Sequence, residues 1–180
     1  MKKTIITILF FLVFPLSAFA TVLERIPFNE QAIKADLVVI GKAGRIEDSK
    51  LQGFPFRRAI ITITEVVSGE APGSEIAVIQ PGGKGPNGRQ VRAEGIQYIK
   101  PGEELMLFLH RRPEGDYEII GLSQGQYRIA GEAGTGRKII HVMDRPGQAH
   151  AMTLDGARLR VHAVRANAGV DKNKPGVKKQ

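Results

Sequence analysis

The chain has 180 residues, no cysteine and a formal net charge of +8. The missing thiols exclude disulfides, thiolate metal sites, cysteine nucleophiles and a lipidated N-terminal cysteine. Hydrophobic residues make up 42% of the chain and charged ones 24%, a balance that supports one packed core and excludes a wholly disordered polyelectrolyte.

Met1-Lys2-Lys3 is positive, Thr4 to Leu16 is nearly all apolar, and Ser17-Ala18-Phe19-Ala20 puts small residues where a signal peptidase cleaves. This pattern predicts a secretory signal peptide over 1–20 and export to the periplasm or beyond the cell. The apolar run is short for a membrane span, and no later stretch is longer. Cleavage after Ala20 would start the mature chain at Thr21, leave 160 residues, and lower the charge to +6 as Lys2 and Lys3 depart. The expected division is the signal peptide, a single domain over 21–166, and a basic tail over 167–180. That tail carries Lys172, Lys174, Lys178 and Lys179 around Pro175 and Gly176, a composition expected to be disordered.

In chain order, Phe28 to Ala35 reads as one short helical turn, with Asn29 as its cap and Ile33 tucked under the body of the domain. Leu37 to Ala43 reads as a strand. Its run Leu37-Val38-Val39-Ile40 is continuous rather than alternating, so both faces are expected to be covered, and Gly41 signals a bulge or a close backbone approach. Gly44 to Pro55 reads as a polar connection. Arg57 to Val67 is long, β-branched and free of glycine and proline. Ala59, Ile61, Ile63 and Val67 fall on one face, and Arg58, Ile60, Thr62, Thr64 and Val66 on the other. Eleven extended residues span roughly 36 Å, so this central strand must bend or bulge to stay on one small core.

Ser68 to Gly73 is a turn cluster and Glu75 to Gln80 a third strand. Pro81 to Arg89 is the most glycine-rich stretch. It lacks the spacings of a P-loop and of a dinucleotide fingerprint, and reads as a wide surface loop. Glu104 to Leu109 is a strongly apolar strand that pairs back through Glu114-Gly115-Asp116 with Tyr117 to Leu122. Tyr127 to Ala130 and a last strand, Arg137 to Val142, follow. After Pro146-Gly147 the period changes. Leu154, Ala157, Val161 and Val164 recur at helical spacing, which predicts an amphipathic helix over Leu154 to Ala166, capped by Thr153, with Arg158, Arg160 and Arg165 pointing outward.

No catalytic set can be assembled from spacing. The four histidines, His110, His141, His150 and His162, stand in neither HExxH nor HxH order, and a zinc site from the last three would need a strand, a loop and a helix to converge. Glu65 lies on the apolar face of the central strand, where a bulge or an arginine would have to satisfy it. Asp36 reads as a strand-entry residue. Ser68, Ser74 and Ser123 sit in turns without a nucleophile elbow. Phe54, Phe56, Arg57 and Arg58 are the nearest approach to a stacking nucleic-acid face, and the phenylalanines read rather as closing a barrel end. These readings point to a protein that is not an enzyme, with no cofactor, no metal and no nucleic-acid partner.

Gln31 to Ala43 is similar to the opening of the netrin-like domain of tissue inhibitors of metalloproteinases, where a short helical turn leads through Ala-Asp into a valine-rich first strand. The central strand, its Ser68-Gly69 turn, Glu75 to Gln80 and Glu103 to Leu109 follow in that family's order, over roughly Phe28 to Ala130. Ala35 to Gly41, Gly69, Pro81 to Gly83 and Gly102 to Leu109 also resemble the order in bacterial exported proteins of unknown role. The resemblance implies a mainly β protein, a five- to six-stranded OB-like barrel with a helix packed on it, and a secreted zinc metalloprotease as partner. Family members chelate the protease zinc through an N-terminal cysteine and are cross-linked by disulfides. This chain has neither, so no site residue is carried over, and Thr21 is the residue that would stand at the new N-terminus. The function expected is an exported binding module for another exported protein, or alternatively a basic envelope-associated protein that binds polyanions or anionic lipid. Its binding face is placed at the barrel end formed by Thr21 to Pro27, Gln52 to Phe56 and Pro81 to Arg89, with Thr21, Phe54, Phe56, Gly82, Gly83 and Lys84 as candidate contacts.

Overall fold

The computed structural model describes residues 24–51, 53–85, 88–145 and 148–170. The stretch expected to be a signal peptide (1–20), Thr21 and the lysine-rich stretch from 171 onward lie outside them. Helix α1 spans Phe28–Lys34. The strands are β1 Leu37–Leu51, β2 Phe54–Ser68, β3 Glu75–Lys84, β4 Gln90–Arg92, β5 Glu104–Arg111, β6 Tyr117–Ile119, β7 Gln126–Arg128, β8 Ala130–Gly131, β9 Lys138–Arg145 and β10 Gln148–Thr153. Helix α2, Leu154–Asn167, comes last. No helix among the described residues is long and apolar enough to cross a membrane.

Strands β1, β2, β3, β6 and β5 pair in that order, and β5 returns to β1 to close a barrel. Every pairing is antiparallel except β3 with β6. This is the expected OB-like order, with β4 added to the end of β3 and β7 sharing the free edge of β5 with β6. A closed barrel leaves few bare edges.

The opening of strand β1, Leu37 to Gly41, is buried on both faces, as its unbroken apolar run predicts. Leu37, Val39 and Ala43 point into the barrel with Ile61, Val78, Leu105 and Leu107. Val38 and Ile40 point out into a second core, built with Phe108 and Tyr127 beneath α1, α2 and β9. There the rings of Phe28, Phe108 and Tyr127 meet edge-on or tilted at 5.1 to 5.6 Å. A Cβ on Gly41 would lie 2.7 Å from both Ile61 Cγ2 and Thr62 O, so the close approach expected there is real.

The long strand does bend. Its register against β1 shifts between Val38 and Val39, between Ile40 and Gly41, and between Ala43 and Ile46. The shift after Ile40 leaves Thr64 unpaired and turns Glu65 onto the outer face beside Ile40. The stretch 44–55 is not a loop. β1 runs on to Leu51 and pairs residue by residue with Phe54 to Ala59. Its polar side chains fit a strand because opposite charges stand across the ladder: Glu47 pairs with Arg58 at 3.4 Å, and Asp48 lies in register with Arg57. The hydrogen bond from Arg45 Nε to Glu47 Oε1, at 2.6 Å, lowers the Glu47 pKa below the usual carboxylate value, with Arg58 adding to it. A lowered folded-state pKa favours folding above the unfolded pKa, and that contribution is lost as pH falls through the folded value. Arg45→Ala is expected to move the Glu47 titration upward, toward the ordinary value, when the carboxyl carbon is followed by NMR.

Both helices depart in detail from expectation. Pro27, not Asn29, stands at the α1 N-cap position and makes no side-chain cap bond. Asn29 instead accepts from Arg160 Nε at 2.7 Å. Phe28, Gln31 and Ala32 form the buried face at helical spacing, which leaves Ile33 outside at 42% exposure. Helix α2 buries Leu154, Ala157 and Val161, and Thr153 Oγ1 accepts from Gly156 N, both as expected. Arg165 reverses its expected direction and is buried. The strand 138–145 is not the last, since β10 pairs back on it before α2 begins.

Candidate functional site

The turn 120–125 divides the face that the argument from sequence singled out. On one side of it lies an apolar groove of about 580 Å³, lined by Phe56, Ile79, Pro81, Ile119, Ile120 and Leu122. Lys34, His110 and Glu118 stand at its margin. Two of its walls are set by register, because Phe56 of β2 faces Pro81 of β3, and Ile79 of β3 faces Glu118 of β6. Leu122 closes the rim. It is the one non-glycine residue with positive φ, 66°, among the described residues, and its side chain is 42% exposed.

On the other side runs the N-terminal segment. Ile26 N donates to Gln124 Oε1 at 2.8 Å, and Gln124 Nε2 donates to Glu24 O at 2.9 Å. One side-chain amide thus takes the place of a neighbouring strand. Beyond it is a polar cleft of about 540 Å³ that includes Arg25, Arg128 and His141. The segment that leads back to Thr21 therefore passes beside the same turn that borders the apolar groove.

The candidate contacts divide. Phe54 is 71% exposed and Phe56 is half-buried in the groove wall. Lys84 is exposed, and its backbone N donates to Asp48 Oδ1 at 3.3 Å. Gly82 and Gly83 are buried members of β3 and present no contact surface. The stretch 81–84 is therefore strand, and only the residues after Lys84 form a connection. Gly82 has φ 110° and lies under the Tyr98 hydroxyl, so glycine is needed there for a ladder position rather than for a loop.

The seam beside β3 is closed by side chains. Gln80 Oε1 accepts from Ile99 N at 2.9 Å, while Gln80 Nε2 donates to Gln97 O at 3.0 Å. This buried amide holds the segment 97–99 across the barrel mouth and seats Ile99, which is fully buried. Nothing in the sequence marks Gln80, Tyr98 or Gln124. The strand expected to run from Tyr117 to Leu122 ends at Ile119, and the turn takes in Ile120, Gly121 and Leu122. Gly121, at φ 63°, is the signal that could have placed its start.

The residues weighed for chemistry lie apart. Glu65 is held by Arg158 of α2, with contacts of 2.6 to 3.1 Å. That hydrogen bonding, with Asp155 adding to it and burial opposing, raises the Arg158 pKa further above its ordinary value. His110 Nδ1 lies 2.6 Å from Asp36 Oδ2, which also accepts from Arg111 N. His141 stands in the polar cleft. No hydrogen bond or ion pair links any two of Glu65, His110 and His141 among the described residues. His150 pairs with Val142, and His141 with Ala151, so these two histidines face opposite sides of the β9–β10 ribbon. No group of three or more His, Asp or Glu able to hold a metal occurs among the described residues. No protein-family model matches the chain, and comparison with the curated proteins finds no similar sequence.

Proposed function

We propose that the chain is an exported, non-enzymatic protein-binding module that docks another exported protein on the rim formed by Phe56, Pro81 and Leu122. The observation that carries this reading is Leu122. A left-handed backbone costs an L-residue about 1–2 kcal/mol, and a leucine at 42% exposure recovers little of that within its own chain. Strain that presents an apolar side chain beside an apolar groove is accounted for when a partner covers it. The closed OB-like order agrees with the resemblance to netrin-like inhibitors, which makes a secreted zinc metalloprotease the first partner to test.

The test uses the mature chain from Thr21 as bait for the native envelope and secreted fractions, followed by reconstitution with each purified protein retained. The reading expects a protein that binds the wild type and binds Leu122→Asp at least about tenfold more weakly. Retention of only anionic lipid or polysaccharide would reject it. The alternative, a basic envelope-associated protein, is favoured by the +6 charge expected of the mature chain, +8 less Lys2 and Lys3. It expects binding that falls steeply with salt and is lost when 171–180 is deleted.

A further inference from the structure

Away from the docking rim, a groove of about 660 Å³ opens where β1, β2 and β4 meet the 98–100 segment and β7. Its charge is one-sided. Arg57, Arg92, Lys100 and Arg128 all line it, and Asp48 is the carboxylate among its lining residues. Arg128 Nε donates to Glu103 Oε1 at 2.9 Å. The side chains of Arg57, Arg92 and Lys100 meet no carboxylate within 4.0 Å among the described residues. Four cations against Asp48 and Glu103 leave two positive charges uncompensated.

Two of these cations are held in place. The Arg57 guanidinium sits 4.9 Å from the centre of the Tyr98 ring. That ring is itself fixed, because the Tyr98 hydroxyl accepts from Ala93 N and donates to Pro81 O, both at 2.9 Å. Arg128 is fixed by Glu103. Like charges gathered in one concavity repel each other, and cations free to choose would splay into water or find carboxylates. Here an aromatic platform and a carboxylate outside the groove keep them aimed at a common space. Guanidinium forks suit the oxygens of phosphate or sulfate, and two uncompensated charges match a dianion.

We propose that this groove binds a tetrahedral dianion, a phosphate monoester carried by a larger ligand. The proposal is independent of the docking rim and of the lysine-rich tail. The full chain is melted with inorganic phosphate, inorganic sulfate or acetate, each at an ionic strength matched with sodium chloride. Phosphate or sulfate is expected to raise the melting temperature saturably above chloride. Arg57→Ala and Arg92→Ala are each expected to weaken that binding about tenfold, while Arg137→Ala, an exposed cation that lines neither groove, leaves it unchanged. Equal melting in chloride, equal affinity in the arginine variants, or acetate binding as tightly as phosphate would each overturn the proposal. Vesicles with and without phosphatidate then distinguish the source. Retention on phosphatidate that is lost in the double arginine variant places the ester on a lipid. Phosphate binding without retention places it on a soluble or saccharide ligand.

Discussion

Arg165→Ala is expected to destabilise the fold by about 3–5 kcal/mol. Arg165 is 4% exposed, and its Nη1 donates to Ala32 O at 2.9 Å and to Ala35 O at 2.7 Å. Those carbonyls belong to the last turn and the C-cap of α1, where a helix has no partners of its own. Helix α1 is only seven residues long and would be marginal alone. It is held by α2 through Arg165, and by the buried Gln31, which accepts from Tyr127 and donates to Ile26 O. Truncation strands two buried carbonyls and opens a cavity in the outer core. Arg165→Met refills the space but still strands the carbonyls, so it should cost about 2 kcal/mol. Urea denaturation separates the two, and each kcal/mol corresponds to about 2–4 °C in melting temperature for a chain of this size. A loss below about 1 kcal/mol for the alanine variant would show that the carbonyls find other donors.

The same residue shows where sequence reasoning loses its grip. Helical spacing assigned Leu154, Ala157 and Val161 to the buried face correctly, because side-chain hydrophobicity alone decides such a face. It turned Arg165 outward, because the energy that buries an arginine comes from carbonyls about 130 residues earlier in the chain. The first strand was legible for a similar reason: Leu37 to Ile40 carries its two-sided burial in its own composition. Its continuation to Leu51 was hidden, since Arg45, Glu47, Asp48 and Lys50 look like a loop until the charges of β2 stand opposite them. β10 is exposed along nearly its whole length and owes its form to pairing with β9 rather than to any pattern of its own. Glu65 was expected to need a bulge or an arginine. It has both, with the arginine supplied by α2 rather than by a neighbouring strand. For the candidate site, the barrel end at Phe56 and Pro81 was legible from the punctuation around it. The Tyr98 platform and the four cations near it were not, because they come from four separate stretches of the chain.

Gly82→Ala should expose the link between that platform and the fold, at an expected cost of about 3–5 kcal/mol. A Cβ there would collide with the Tyr98 hydroxyl and would lie 2.9 Å from Val91 O, at a φ of 110° that L-residues rarely adopt. Val91 O is backbone of β4 and cannot swing aside. Tyr98 can move only by giving up its bonds to Pro81 O and from Ala93 N, which also removes the surface on which Arg57 rests. Stability and the geometry of the cationic groove should therefore fall together. Tyr98→Phe separates the two effects. It keeps the ring and vacates the hydroxyl position, so it should cost only about 1–2 kcal/mol for the lost hydrogen bonds and should partly rescue Gly82→Ala in the double variant. A double-mutant cycle by urea denaturation reads this as a coupling of at least about 1 kcal/mol. Additive losses would mean that the collision at Gly82 is relieved through the backbone of β3 and β4, and that the tyrosine is not what requires glycine at that position.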